Sequence, residues 1–139
     1  MFKDDRIWTL YDGLDNNRVV AITKTINGEQ HLVLLDETKQ YPITLFGIGK
    51  YLKKEVSFFD IMERWFPIRG LDPNNVKAPE ILKEMGLDEY IRNTVVYMTN
   101  AKALNDPFWI DFGDGELSDD FVPDPNKKYN VPYRMKAIK

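Results

Sequence analysis

Arg18-Val19-Val20-Ala21-Ile22-Thr23-Lys24-Thr25-Ile26, then Asn27-Gly28, then Glu29-Gln30-His31-Leu32-Val33-Leu34-Leu35: this stretch decides the fold. Two runs rich in strand formers flank a dipeptide whose residues tolerate the positive φ angles of a tight type I′ turn, which is the pattern of a β-hairpin. On the first run Val20, Ile22 and Ile26 are expected to share a face. Upstream, Arg6-Ile7-Trp8-Thr9-Leu10-Tyr11 reads as a third strand and stops at Asp12-Gly13, so the first part of the chain is an antiparallel meander.

Beyond the hairpin the period changes. Residues 42–49, between Pro42 and Gly49, read as one more short strand, because Gly47 and Gly49 disfavour a helix interior. Ser57 is a natural N-cap for a helix over Phe58–Phe66. There Phe58, Ile61, Met62 and Trp65 fall at the i, i+3, i+4 and i+7 positions of an apolar stripe, and Pro67 ends the run. Pro79 suits the first turn of a second helix, Glu80 to Met85, closed by Gly86 in the left-handed conformation. Asp88 is the candidate cap of a third helix, with Ile91, Val95 and Met98 on one face. Phe108 to Phe112 reads as a final strand, with Phe108, Ile110 and Phe112 on one side and Trp109 and Asp111 on the other. The expectation is an α+β fold: one domain over residues 1–126, an N-terminal β-meander followed by about three short helices and a further strand. A basic, proline-containing extended tail follows over 127–139.

Composition narrows the chemistry. The chain has 139 residues, and 43% hydrophobic with 29% charged residues is a globular balance. There is no Cys, hence no disulfide framework, thiol nucleophile or Cys-based zinc site. A net charge of -3 gives no overall case for nucleic acid. No apolar run is long enough to span a bilayer, and the charged start Met1-Phe2-Lys3-Asp4-Asp5-Arg6 lacks the apolar core of a secretory signal, so the cytoplasm of a bacterial or phage-infected cell is the expected location.

Several motifs invite chemistry. Asp106, Asp111, Asp114, Glu116, Asp119, Asp120 and Asp124 form an acidic stretch, but its spacing fails the EF-hand pattern. A non-EF-hand divalent cation site on Asp111, Asp114 and Glu116 is the alternative metal-dependent enzyme reading. Asp111-Phe112-Gly113 spells the magnesium triplet of protein kinases without the glycine-rich loop, strand lysine or catalytic aspartate that give it meaning. His31 is the only histidine and reads as a solvent-face strand residue; Ser57 and Ser118 lie in no nucleophile-elbow context. Gly47-Ile48-Gly49-Lys50 has neither phosphate-loop spacing. Lys50, Lys53 and Lys54 with Tyr51 make a small basic patch able to steer an acidic partner. Lys127, Lys128, Arg134, Lys136 and Lys139 could hold phosphates in a salt-sensitive way or neutralise the preceding acids; the second is favoured, so nucleic acid is not the expected partner.

Two segments together resemble a known family. The first is Phe58-Phe59-Asp60-Ile61-Met62-Glu63-Arg64-Trp65-Phe66-Pro67-Ile68-Arg69, leading to Ile81-Leu82-Lys83-Glu84-Met85-Gly86-Leu87. The second is Ala103-Leu104-Asn105-Asp106-Pro107-Phe108-Trp109-Ile110. Over roughly Ile43 to Ile110 the chain resembles the segment that precedes the kinase domain in HipA-like proteins of Gram-positive bacteria, with Ala103 and Phe108 in place of the family's serine and tyrosine. The resemblance implies a stand-alone pre-kinase module without kinase activity, of bacterial or phage origin, acting in toxin–antitoxin or host-takeover circuits.

The same residues have a physical reading. Asn105-Asp106-Pro107 is turn chemistry: both side chains can bond nearby backbone N–H groups, and Pro107 fixes φ where the next strand begins. Arg64 and Arg69 flank Pro67 and can clamp either the acidic stretch of this chain or a partner's carboxylate. The leading expectation is a non-catalytic protein-binding or regulatory module, with Arg64, Arg69, Asn105, Asp106 and Trp109 as partner-binding residues and with no catalytic residue, metal or cofactor assigned.

Overall fold

The computed structural model describes residues 7–103 and 105–113. Five strands, β1 (Thr9–Asp12), β2 (Arg18–Ile26), β3 (Glu29–Leu34), β4 (Glu55–Ser57) and β5 (Phe108–Asp111), form one sheet in the order β4-β3-β2-β1-β5. Every neighbouring pair is antiparallel. Four short helices accompany it: α1 (Ile43–Phe46), α2 (Phe58–Asp60), α3 (Ala78–Glu84) and α4 (Arg92–Met98). The expected α+β class is thus the observed one. The basic tail over 127–139 lies outside the described residues. Among those described, no helix is long and apolar enough to cross a membrane.

The β2–β3 hairpin forms as its turn chemistry demands. Asn27 and Gly28 both take positive φ, 52° and 80°, and Ile26 pairs with Glu29. One face of the sheet carries Trp8, Leu10, Ala21, Leu32, Leu34, Val56, Phe108 and Ile110 into the core. The β1–β2 register slips between Leu10 and Tyr11, because Leu10 faces Ala21 while Tyr11 faces Val19. Val20 is the extra residue of a β-bulge, so Val20 and Ala21 both reach the core. The shared face expected for Val20 and Ile22 is therefore corrected: Ile22 points to the opposite side, where it stands beside Thr9 and Val33.

The segment 42–49 is not a strand. Pro42 accepts N–H bonds from Leu45 and Phe46, winding α1, and Gly47 at φ 77° turns the chain out of it into a short 3-10 turn, Gly49–Tyr51. The fourth strand comes later, at Glu55–Ser57. Ser57 then caps α2 by accepting the Asp60 N–H on its hydroxyl at 3.1 Å, as expected. From α2 the chain widens into a π-helical turn, Ile61–Trp65, and tightens into a 3-10 turn, Phe66–Ile68. Pro67 sits in the first turn of that last piece, where a missing N–H costs nothing, so it lies inside the winding rather than ending it. Ile61, Trp65 and Phe66 are fully buried, and Phe58 stacks on Trp8 at 3.7 Å between ring centroids.

Helix α3 ends before Gly86, which takes φ 78°. Asp88 does not cap α4: the helix starts at Arg92, with Ile91 in the cap position and no side-chain bond. Ile91 is exposed, while Val95, Val96, Tyr97 and Met98 are all buried, because the end of α4 is surrounded rather than laid on a surface.

Two glycines test this description. Nothing lies within 4 Å of a Cβ built at Gly28, so Gly28→Ala should cost only the backbone penalty of a left-handed L-residue, about 1–2 kcal/mol. At Gly47 a Cβ would stand 2.5 Å from the Tyr51 carbonyl oxygen, so Gly47→Ala should cost clearly more. Paired urea melts compare the two, and equal losses would contradict the close approach of Gly47 to Tyr51.

Candidate functional site

Arg69 and Asp106, two of the residues singled out from sequence, meet. Arg69 is 2% exposed. Its guanidinium donates through Nη1 and Nη2 to the two carboxylate oxygens of Asp106, the Nη2 bond being 2.8 Å, in a bidentate fork. The same group donates through Nε to the Ala101 carbonyl at 2.8 Å and through Nη2 to the Phe108 carbonyl at 2.7 Å. Its plane lies over the Trp65 ring at 4.2 Å. A buried charge is tolerable only when paired and hydrogen-bonded, and here a carboxylate and two carbonyls accept from all three guanidinium nitrogens.

The clamp fixes the turn before β5. Asp106 Oδ1 also accepts the Phe108 N–H at 3.0 Å, the Asx-type bond its turn chemistry suggested. One step further, Ile110 donates its N–H to the Asn100 carbonyl at 2.8 Å and accepts from Asn100 Nδ2 at 3.1 Å. The outward backbone groups of Phe108 and Ile110 are thereby bonded, closing this edge of the sheet with side chains and a loop. Of the two roles open to Arg69, the structure uses the internal one.

Trp109 points away from the core and is still only 7% exposed. It stacks on Tyr11 across the strand pair at 4.7 Å, donates Nε1–H to Asn17 Oδ1 at 3.2 Å, and has Lys102 Nζ 5.5 Å from its ring. Burial pushes the Tyr11 phenol above its ordinary 10.0; the Asp111 carboxylate adds to the push and a Thr9 hydrogen bond opposes it. Asp111 accepts the Gly113 N–H at 2.9 Å, while Asp114 and Glu116 of the acidic turn lie outside the described residues. Among those described, no three His, Cys, Asp or Glu side chains converge as a cation site. His31 is half-buried on β3 opposite Lys24, with Nδ1 3.2 Å from the Glu29 carbonyl.

Arg64 and Asn105 are the two exposed members of the set. Arg64 stands apart from the clamp, on an open groove of about 220 Å³ between α1, the π-helical turn and the start of β4. Phe46, Val56 and Trp65 supply the apolar lining, Ile43 and Tyr51 add partly exposed apolar surface, and Lys53, Asp60 and Arg64 supply the charge. Ile43 is 55% and Tyr51 72% exposed, with Lys50 Nζ 5.2 Å from the Tyr51 ring. Among the described residues Arg18, Lys54 and Arg69 have carboxylate partners, but Lys53 and Arg64 have none. Trp65 joins groove and clamp: it lies under Arg69 and donates Nε1–H to Thr44 Oγ1 on α1 at 2.9 Å. Sequence reading missed this groove as a unit. Its signal was the Lys50–Lys54 patch with Tyr51, whose nearest apolar neighbours, Ile43 and Phe46, lie in the segment expected as a strand and not as the helical turn that brings them to the groove.

Comparison of the chain with family models, with curated proteins and with solved structures finds no match.

Removing the guanidinium leaves the Asp106 carboxylate without its counter-charge and the Ala101 and Phe108 carbonyls without this donor. Arg69→Ala should lower stability by about 3–5 kcal/mol, and Arg69→Lys should restore little of it because an ammonium lacks the planar fork. Chemical denaturation of both variants checks this, and a loss below 1 kcal/mol for Arg69→Ala would be incompatible with the clamp. Tyr11 gives a pH test. Its neutral form is favoured in the fold, so its contribution is complete below the unfolded-state value near 10.0 and is lost as pH rises through the higher folded-state value. Tyr11→Phe should flatten the decline of the urea midpoint above that pH.

Proposed function

We propose that this protein is a non-catalytic binding module that docks another protein on the groove beside Arg64, and that it acts in a regulatory circuit of a bacterium or phage. The observation that carries the binding reading is the coincidence, at one groove, of exposed apolar side chains with cations lacking a carboxylate partner. Ile43 and Tyr51 present apolar surface beside Lys53 and Arg64. Exposed aromatic surface next to an arginine is the composition of interface hot spots. The π-helical turn that carries Arg64 and Trp65 supports the same reading, because such widened turns recur at functional sites. The circuit rests on the resemblance to the pre-kinase segment of HipA-like proteins.

Within this reading the five candidate residues divide by role. Arg64 contacts the partner. Arg69 and Asp106 hold the scaffold behind it, Trp109 anchors the opposite face of β5, and Asn105 remains an exposed turn residue.

The test is affinity capture from bacterial lysate with the full chain and with Tyr51→Ser and Arg64→Ala variants, each first shown to melt as the parent does. One stoichiometric protein, retained in high salt and lost from both variants, is the expected result. Capture unaffected by either substitution would place binding elsewhere.

A further inference from the structure

We infer that the partner offers an acidic peptide segment, with one apolar side chain seated against Ile43 and Tyr51 and its flanking carboxylates on Lys53 and Arg64. This rests on the protein-binding reading and adds the chemistry of the partner.

Three observations lead there. The groove, about 220 Å³, is below the few hundred Å³ of a typical small-molecule site and suits a single anchoring side chain of a longer chain. Its accessible apolar surface belongs to Ile43 and Tyr51, both exposed, backed by the buried rings of Phe46 and Trp65. Among the residues that line the groove the charge is unbalanced, with Lys53 and Arg64 against the single acid Asp60. Asp60 and Arg64 are four residues apart, the spacing that pairs opposite charges on a regular α-helix, yet they form no ion pair. Between them runs the π-helical turn, whose wider winding takes the two side chains out of α-helical alignment. Arg64 is therefore left for an external carboxylate, which it can bind bidentately, while Lys53 acts as a point charge. An acidic segment is steered to such a site and a basic one repelled.

The experiment is random-peptide display on the immobilised full chain, with counter-selection on a Lys53→Glu/Arg64→Glu variant that melts as the parent does. Recovered sequences are then synthesised with a fluorescein label and titrated by anisotropy. The expected motif is an aromatic or leucine side chain flanked by Asp or Glu. Its affinity should fall at least about tenfold in the charge-reversed variant, in Tyr51→Ser, and when the peptide's acids become lysine. Groove-dependent binders without acids would overturn this inference and leave the binding reading standing. Failure to recover any groove-dependent binder would overturn both.

Discussion

A guanidinium beneath the edge of a sheet holds this molecule in register. Arg69 is delivered by the winding that begins at Ser57, and it closes on Asp106 and on the carbonyls of Ala101 and Phe108. A planar fork with five donors can satisfy a carboxylate and two carbonyls at once, which a lysine cannot. With Asn100 bonded to Ile110 on the same side, the outer strand β5 has a finished edge rather than an open row of backbone groups. The cost of burying the charge is offset because its three nitrogens meet a carboxylate and two carbonyls and the Trp65 ring lies under it.

From that point the order spreads through aromatic rings. Trp65 carries the guanidinium on its face and binds α1 through Thr44, so the wall of the groove and the clamp share one side chain. Trp8 performs a parallel task across the sheet: Phe58 stacks on it, and Phe112 meets it edge-on at 5.1 Å. Large flat side chains transmit position well because they offer much contact area and few rotamers. The groove bearing Arg64 is thus a surface consequence of interior packing.

Much of the fold was legible in the sequence, for local reasons. Asn27-Gly28 states its own φ angles, Ser57 offers a hydroxyl three residues ahead of a free N–H, and Gly86 ends α3 where a left-handed residue is needed. Alternation also placed Phe108, Ile110 and Phe112 opposite Trp109. The misreadings share a cause. At 42–49 the glycines disfavour a helix interior, but a single turn needs only the Pro42 carbonyl and an exit at Gly47. The Val20 bulge reverses a face because Tyr11 pairs one residue out of step, and strand register belongs to two segments together.

The candidate residues show the same division. Turn chemistry at Asn105-Asp106-Pro107 could be read from three adjacent letters, and Asp106 does bond the Phe108 N–H. That Arg69 spends its charge on Asp106, 37 residues away, while Arg64 spends its own on nothing within the described residues, depends on which side of the winding each one faces. The sequence by itself determined the Asn27-Gly28 turn, the Ser57 cap, the Gly86 stop, the strand-rich beginning and the α+β class, because these follow from φ preferences and hydrogen bonds between near neighbours. Only the tertiary structure decided which charge is buried and which is presented, because desolvation and pairing depend on segments that meet in space rather than along the chain.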